Sequence, residues 1–439
     1  MSELLDAVRQ GASPAELLEC DLPTRFQAAY TLRDEVGIFE GETDKDVRRS
    51  IHVGEVEMPE LAPDEVVVAV MAAAVNFNSV WTAIFEPVPT FAFLEKLGRT
   101  GRWGARHDLP YHILGSDAAG VVVRVGESVR RFKVGDKVVV SANAVDEQDP
   151  AVHEDGLLGD EALAWGFENN FGAFGQFTVV KASQLIPKPA HLSWEEAAAN
   201  TLCAATAYRM LIGKHGARMK MGDVVLIWGA TGGLGSYAVQ LVKNAGGIPV
   251  AVVSSEEKAE LVRRQGCEHV INRSEIDFGD RGLSHPKGWR RLGEEIRRLV
   301  GEDPHIVFEY LGRETFGASV YVARRGGRIV TCGSSTGYRH EYDNRYLWMN
   351  VKSIVGSHGF NYAEAVETNR LLALGLLHPT LSRVYPMERT GEAVRSVQTN
   401  RHVGKVGILI SATAEHQGID DPARRERLGE EDITLYRGR

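Results

Sequence analysis

Apolar and polar positions change rhythm twice along the chain. From about residue 50 to 190 the apolar residues come in short β-branched runs, EVVVAVMAAAV, AAGVVVRVG and DKVVVSA, cut by turns such as VGES and VGDK, and the region closes with FGQFTVVKASQLIPKP. Such runs between Gly, Pro and Asp turns predict strands. The stretch SWEEAAANTLCAATAYRMLI then turns helical, with Ser193 and Glu196 spaced as a capping box. Beyond it strands and helices alternate: DVVLIWGA, SYAVQLVKNAG, IPVAVVSS, EKAELVRRQG, HIVFEYLG and GGRIVTCGSS. Alternation of this kind predicts a parallel, doubly wound sheet. Residues 1–45 mix short helical patterns with turns and form an extension. The charged tail ARRERLGEEDITLYRGR leaves two readings open, a surface helix or partial disorder. The expected organisation is an α/β protein: an N-terminal extension and β-rich domain over 1–200, a nucleotide-binding domain over 201–345, and a return to the first domain over 346–439.

Composition narrows the class. The 439 residues suffice for two or three domains, with 44% hydrophobic and 25% charged residues. A net charge of −9 gives no general reason to bind nucleic acid or an acidic membrane. The run at 66–75 is too short to span a bilayer, and MSELLDAVRQ lacks the apolar core of a secretory signal. Cys20, Cys203, Cys267 and Cys332 lie far apart with no CxxC pair, which argues against a disulfide framework and a structural zinc cluster. A reducing, cytoplasmic setting is expected.

The clearest chemical signal follows the strand DVVLI. In WGATGGLGSYAVQ, Gly229, Gly232 and Gly235 are spaced three apart where strand passes into helix, with Ala230 at the first glycine of the common G-x-G-x-x-G frame. Gly229, Ala230, Thr231, Gly232, Gly233, Leu234 and Gly235 are therefore candidate dinucleotide contacts, their backbone N–H groups facing a pyrophosphate. The next strand ends in Ser254 and Ser255, with Lys258 one turn on, where an NAD site carries Asp or Glu. Hydroxyls and an ammonium suit a 2′-phosphate, so NADPH is the expected cofactor. Glu256 and Glu257 speak against this unless they fall inside the following helix.

The β-rich first part, the mid-chain nucleotide domain and the mixed end resemble the medium-chain dehydrogenase/reductase superfamily, which implies a GroES-like catalytic domain beside a Rossmann domain. Gly115-Ser116-Asp117 stands where the zinc alcohol dehydrogenases of that superfamily have Gly-His-Glu, so no metal is expected. Six stretches, AAVNFNSVWTAIFEP, RHDLPYHILGSDAAGVV, WGFENNFGAFGQF, GRETFGASVYV, HEYDNRYLWM and GSHGFNY, are similar to the crotonyl-CoA carboxylase/reductase family, from about residue 20 to 435. The resemblance implies hydride transfer from NADPH to the β-carbon of a 2-enoyl-CoA, with the resulting enolate attacking CO₂ to give an alkylmalonyl-CoA. It implies a carbon dioxide pocket of Phe167, Glu168, His358 and an asparagine of NFN, with Asn78 favoured over Asn76. It also implies a homotetramer or dimer.

The chemistry fits such a pocket. Three heavy atoms at a ceiling near −1.5 kcal/mol each cap the affinity for CO₂ at about millimolar, so positioning outweighs affinity. Water would protonate the enolate, and an apolar wall such as Phe167 excludes it. Each residue also has an ordinary reading: Phe167 as core, Glu168 as a solvated turn, His358 as a surface residue. For the CoA phosphates, Arg345 and Arg325 are candidates, each equally readable as a surface ion pair. Gly359, where an aromatic is expected in four-carbon enzymes, predicts room for a longer acyl chain unless Phe360 fills it. The alternative function is a non-carboxylating NADPH-dependent enoyl-CoA or quinone reductase.

Overall fold

In the computed structural model, which describes residues 2–279 and 282–439, the run EVVVAVMAAAV is the strand Glu65–Val75, buried at every position. It has no polar alternation because it is central to a seven-stranded sheet and covered on both faces. Ala118–Val125 and Phe177–Lys181 pair antiparallel with it, and so does Lys405–Leu409, which returns from the far end of the chain. A three-stranded sheet places Arg25–Leu32 between His52–Glu57 and Tyr111–Ile113. These strands belong to a first unit of Met1–Leu202, Asn361–Ala373 and Pro379–Arg439.

The second unit, Cys203–Phe360 with Leu374–His378, holds six parallel strands. Their order is His269–Asn272, Ile248–Val253, Val224–Ile227, Ile306–Glu309, Arg328–Thr331 and Ser353–Gly356. Numbered along the chain this is 3-2-1-4-5-6, the doubly wound order that opens a crevice beside the first strand.

Three expectations need correction or resolution. The return to the first unit falls at Asn361, not at 346. Ser353–Gly356 is the sixth strand, with Val355 opposite Val330, so residues 346–360 stay with the nucleotide domain. A four-residue edge strand, mostly exposed, carries no continuous apolar run to announce itself. The helical stretch after Ser193 is two helices, Trp194–Ala198 and Thr201–Leu211. The Asn200 amide donates to Glu196 O (2.6 Å), a local bond that competes with helix continuation. The tail is docked: Arg425, 6% exposed, pairs with Glu196 (2.6 Å) and Glu430, and Arg437 pairs with Glu195 (2.8 Å).

Candidate active site

Two asparagines leave the end of the central strand, and the pair after Gly115 takes one each. Asn76 Nδ2 donates to Asp117 Oδ2 (2.8 Å), while its Oδ1 accepts from the Lys405 ammonium. Lys405 also meets Asp117 (3.1 Å), and both side chains are sealed from water. The Asn76 amide is thus committed to a buried ion pair. Asn78 Nδ2 donates to Ser116 Oγ (2.8 Å), and Ser116 donates to Trp165 O (2.6 Å). Asn78 Oδ1 is buried and accepts no hydrogen bond among the described residues. Of the two candidates, Asn78 alone has a side-chain atom without a hydrogen-bond partner among the described residues. Ser116 and Asp117 thus each hold an asparagine side chain.

The segment 165–171 is shaped by its own polar groups. Asn170, fully buried, accepts from the backbone N–H of Ile113 (2.9 Å) and Phe171 (2.8 Å) and donates to Tyr111 O (2.8 Å). Asn169 Oδ1 accepts from Gly166 N (3.1 Å), and Glu168 Oε2 accepts from Ala164 N (2.7 Å). The asparagines therefore build the loop. Gly166 sits at φ 71°, and a Cβ there would lie 1.9 Å from Gly115 O, so the loop presses directly on the Ser116 turn. Phe167 projects from it, half-buried, with Trp81 at 6.5 Å and Phe93 at 6.1 Å between ring centroids. These two partners went unnoticed in the sequence, although Trp81 stands on the same helix as Asn78, Phe77–Ile84.

Two buried histidines support the loop. Asn170 N donates to His107 Nδ1 (3.2 Å). His112 Nε2 meets Asn169 O (3.1 Å), which can only accept, so Nδ1 takes the proton of Thr90 Oγ1 (2.8 Å). Burial, followed by the Arg106 charge, pushes His107 down to about 3, and burial pushes His112 down to about 4.

In the second unit the helix Gly233–Asn244 starts at Gly232, which offers no side chain to cap it. Without a side-chain cap, the start of this helix suits an anion such as a pyrophosphate. A Cβ at Gly235 would lie 2.3 Å from Gly229 O, and at Gly229 one would lie 2.5 Å from the Tyr310 hydroxyl. Tyr310 donates to Gly229 O (2.8 Å) and braces the turn. Ala230 and Thr231 are buried within it, and Gly233 and Leu234 are half-exposed at the helix start.

At the end of the second strand Lys258 Nζ lies 3.4 Å from Ser254 Oγ. The Ser255 hydroxyl caps the helix Glu256–Arg264 by accepting from Lys258 N (3.3 Å). Glu256 pairs with Arg263 (2.5 Å) on that helix, so it does not clamp a ribose. Burial, then the charge of Arg273, holds the Lys258 pKa below the ordinary lysine value. Arg273, whose backbone N–H donates to Val253 O (2.9 Å), brings a second cation near Lys258. The 3-2-1 strand order sets the end of the third strand beside the second, a signal from which Arg273 was readable. Two cations and a hydroxyl fit a 2′-phosphate, with Glu257, whose charge reaches Lys258, placed inside the following helix.

His358 and Gly359 follow the sixth strand in the second unit; His358 is exposed and Phe360 is buried. Gly359 has φ 48°, and a Cβ there would meet no atom within 4 Å. Arg345 is 74% exposed and held by Asp343 through Nε (3.0 Å) and Nη2 (2.6 Å); Arg325 is exposed. Among the described residues no group of three His, Cys, Asp or Glu side chains is arranged to hold a metal.

The family model described as alcohol dehydrogenase GroES-like domain matches residues 62–190, and that described as zinc-binding dehydrogenase matches 233–374. With the seven-stranded β domain and the Rossmann sheet, this defines a medium-chain dehydrogenase/reductase. The chain is 52% identical to a crotonyl-CoA reductase of Streptomyces avermitilis over 97% of both chains. It is 39% identical to a crotonyl-CoA carboxylase/reductase of Cereibacter sphaeroides over 85% of both. A solved structure of the 2-octenoyl-CoA carboxylase reductase CinF with NADP and 2-octenoyl-CoA superposes with a TM-score of 0.96 at 56% identity, covering 100% of this chain and 99% of that one. The chain belongs to the crotonyl-CoA carboxylase/reductase family.

Proposed function

We propose that this protein is an NADPH-dependent enoyl-CoA carboxylase/reductase that converts a 2-enoyl-CoA and CO₂ to an alkylmalonyl-CoA. The observation that carries the reading is the likeness, along the whole chain, to a carboxylating reductase of 2-octenoyl-CoA.

Bound NADPH supplies a hydride to the β-carbon of the enoyl thioester, and the C=C electron pair moves to the α-carbon as an enolate. The α-carbon attacks CO₂, forming one C–C bond and leaving a carboxylate. Lys258, Arg273 and Ser254 hold the 2′-phosphate, and the N–H groups after Gly232 hold the pyrophosphate. Phe167, backed by Trp81 and Phe93, keeps water from the enolate. Asn78 and His358 position CO₂, and Glu168 is an orienting group. Arg345 and Arg325 meet the CoA phosphates. No metal takes part, since Ser116 and Asp117 are engaged with Asn78, Asn76 and Lys405.

No helix among the described residues is long and apolar enough to cross a membrane. We place the enzyme in the cytoplasm. It acts as a homotetramer or homodimer: Trp348, Met349, Val351 and Ile354, in and just before the edge strand, are exposed apolar residues that association would cover.

The test is a panel of 2-enoyl-CoAs with NADPH and isotopically labelled bicarbonate, read by mass spectrometry. Label in the acyl-CoA product is expected. Saturated acyl-CoA alone, at any bicarbonate concentration, would establish the plain reductase instead.

A further inference from the structure

Three residues meet on the carbonyl oxygen of Gly229. Gly232 N donates to it (2.8 Å) and closes the turn, and the hydroxyl of Tyr310, just beyond the fourth strand, donates to it as well (2.8 Å). The bare Cα of Gly235 packs against it, since a Cβ there would lie only 2.3 Å away. Burial holds the Tyr310 phenol above the ordinary tyrosine value, so the proton for this bond is kept near neutral pH. The same hydroxyl occupies the space in which two side chains would begin. A Cβ would lie 2.5 Å from it at Gly229 and 2.8 Å from it at Gly232. Gly229, at φ 57°, favours glycine for backbone reasons alone. Gly232, at φ −77°, does not, and there the Tyr310 oxygen is the first atom a side chain meets. Glu309, sealed from water, holds the loop that carries Tyr310. Its carboxyl accepts from Leu311 N (2.8 Å), Gly312 N (3.0 Å) and Ser319 Oγ (2.6 Å). Ser319 Oγ accepts in turn from Nε1 of Trp228, the residue before Gly229 (2.8 Å). Both ends of the strand-to-turn junction are thereby tied to one loop.

We propose that Tyr310 is a positioning residue for the cofactor: carried on the loop that Glu309 holds, it fixes the Gly229 carbonyl and with it the turn that meets the pyrophosphate. The inference rests on the reading of this turn as the cofactor site. A turn already held in its binding shape loses less freedom when the nucleotide arrives, and that difference appears as affinity. The pyrophosphate is common to NADPH and NADH, so Tyr310 serves both alike. Lys258, beside the 2′-phosphate, serves NADPH alone. Once the cofactor is seated, hydride transfer makes no demand on the Tyr310 hydroxyl. Its effect therefore falls on binding and not on turnover.

The experiment titrates the protein with NADPH and with NADH, following nucleotide fluorescence, beside kcat at saturating NADPH with a 2-enoyl-CoA and the melting temperature. Tyr310→Phe removes one oxygen and keeps the ring. It should raise Kd about three- to tenfold for both nucleotides, the effect of one hydrogen bond, while kcat and melting temperature change little. Gly232→Ala pushes the hydroxyl off the Gly229 carbonyl and should weaken both nucleotides at least as much. The double variant should then bind no worse than Gly232→Ala alone, because the bond is already broken. Wild-type affinity in Tyr310→Phe, a loss confined to NADPH, or losses that multiply in the double variant would overturn the proposal. If Tyr310→Phe does not fold, Gly232→Ala decides: weakening of both nucleotides supports the proposal, and wild-type affinity refutes it. A wild type that binds neither nucleotide would overturn the reading of the turn itself and this inference with it.

Discussion

The backbone N–H of Asn170 donates to Nδ1 of His107 across 3.2 Å, so the loop that carries Phe167 leans on an imidazole that must stay neutral. His112 holds the same loop through Asn169 O, with its own Nδ1 occupied as an acceptor. Both are pushed far below the ordinary histidine value, to about 3 and about 4. Above about pH 6.5 both are neutral in folded and unfolded chains alike. Below it the unfolded chain binds protons that the folded chain refuses, so stability falls as pH drops from about 6.5 toward 4. The slope reaches about 1.4 kcal/mol per pH unit for each histidine. His107→Gln, which keeps an acceptor but does not titrate, should flatten the dependence of melting temperature on pH across that window. An unchanged profile would show that these histidines do not set acid stability.

On the proposed reading, cofactor choice rests on Lys258 and Arg273. NADPH should be preferred to NADH at least tenfold in kcat/KM, since a charge-assisted phosphate contact contributes about 1.5–3 kcal/mol. Lys258→Ala should lower kcat/KM for NADPH about ten- to a hundredfold and leave NADH nearly unaffected. Equal losses with both cofactors would show that Lys258 only packs.

We propose that acyl-chain preference centres on Gly359. Open space over its Cα should let six- to eight-carbon enoyl-CoAs react at least as well as crotonyl-CoA, and Gly359→Phe should selectively impair the longer ones. At φ 48° any side chain adds backbone strain of about 1 kcal/mol, so Gly359→Ala is the control that carries the strain without the bulk. Chain-length profiles that match in wild type and Gly359→Phe would refute the assignment.

Product partition tests the pocket. Phe167→Ala should admit water and raise saturated acyl-CoA at the expense of the carboxylated product. His358→Asn should lower carboxylation about five- to thirtyfold, the effect of one positioned hydrogen bond. NADPH oxidation should change far less in both. If both variants keep the wild-type product ratio at limiting bicarbonate, CO₂ binds elsewhere.

Metal removal should be without effect. Dialysis against a strong chelator, followed by metal analysis, should leave full activity. Loss of stoichiometric zinc together with activity would contradict the roles given to Ser116 and Asp117.

Features set by neighbours a few residues apart were legible in the chain alone. The capping box of Ser193 and Glu196 forms as spaced, because a cap joins residues three positions apart. The glycine turn after DVVLI and the Ser254–Lys258 end of the next strand were legible for the same reason: each is a strand-to-helix junction whose geometry is local. The parallel sheet followed from alternation, but its last strand did not, since Ser353–Gly356 is held by pairing and not by its own apolar pattern.

Tertiary structure decided what depends on residues distant in the chain. Spacing favoured Asn78 over Asn76 without excluding either, and the surroundings of the two side chains came only with the fold. Asn76 is occupied by Asp117 and by Lys405, 329 positions away, whereas Asn78 is held through Ser116, 38 positions away, with its oxygen left over. The tail read as disordered or helical with equal ease until Arg425 met Glu196, 229 positions earlier in the chain. A buried charge or amide takes its meaning from the partner that folding brings to it, because removal from water makes that one contact decide whether it is stable, reactive or silent.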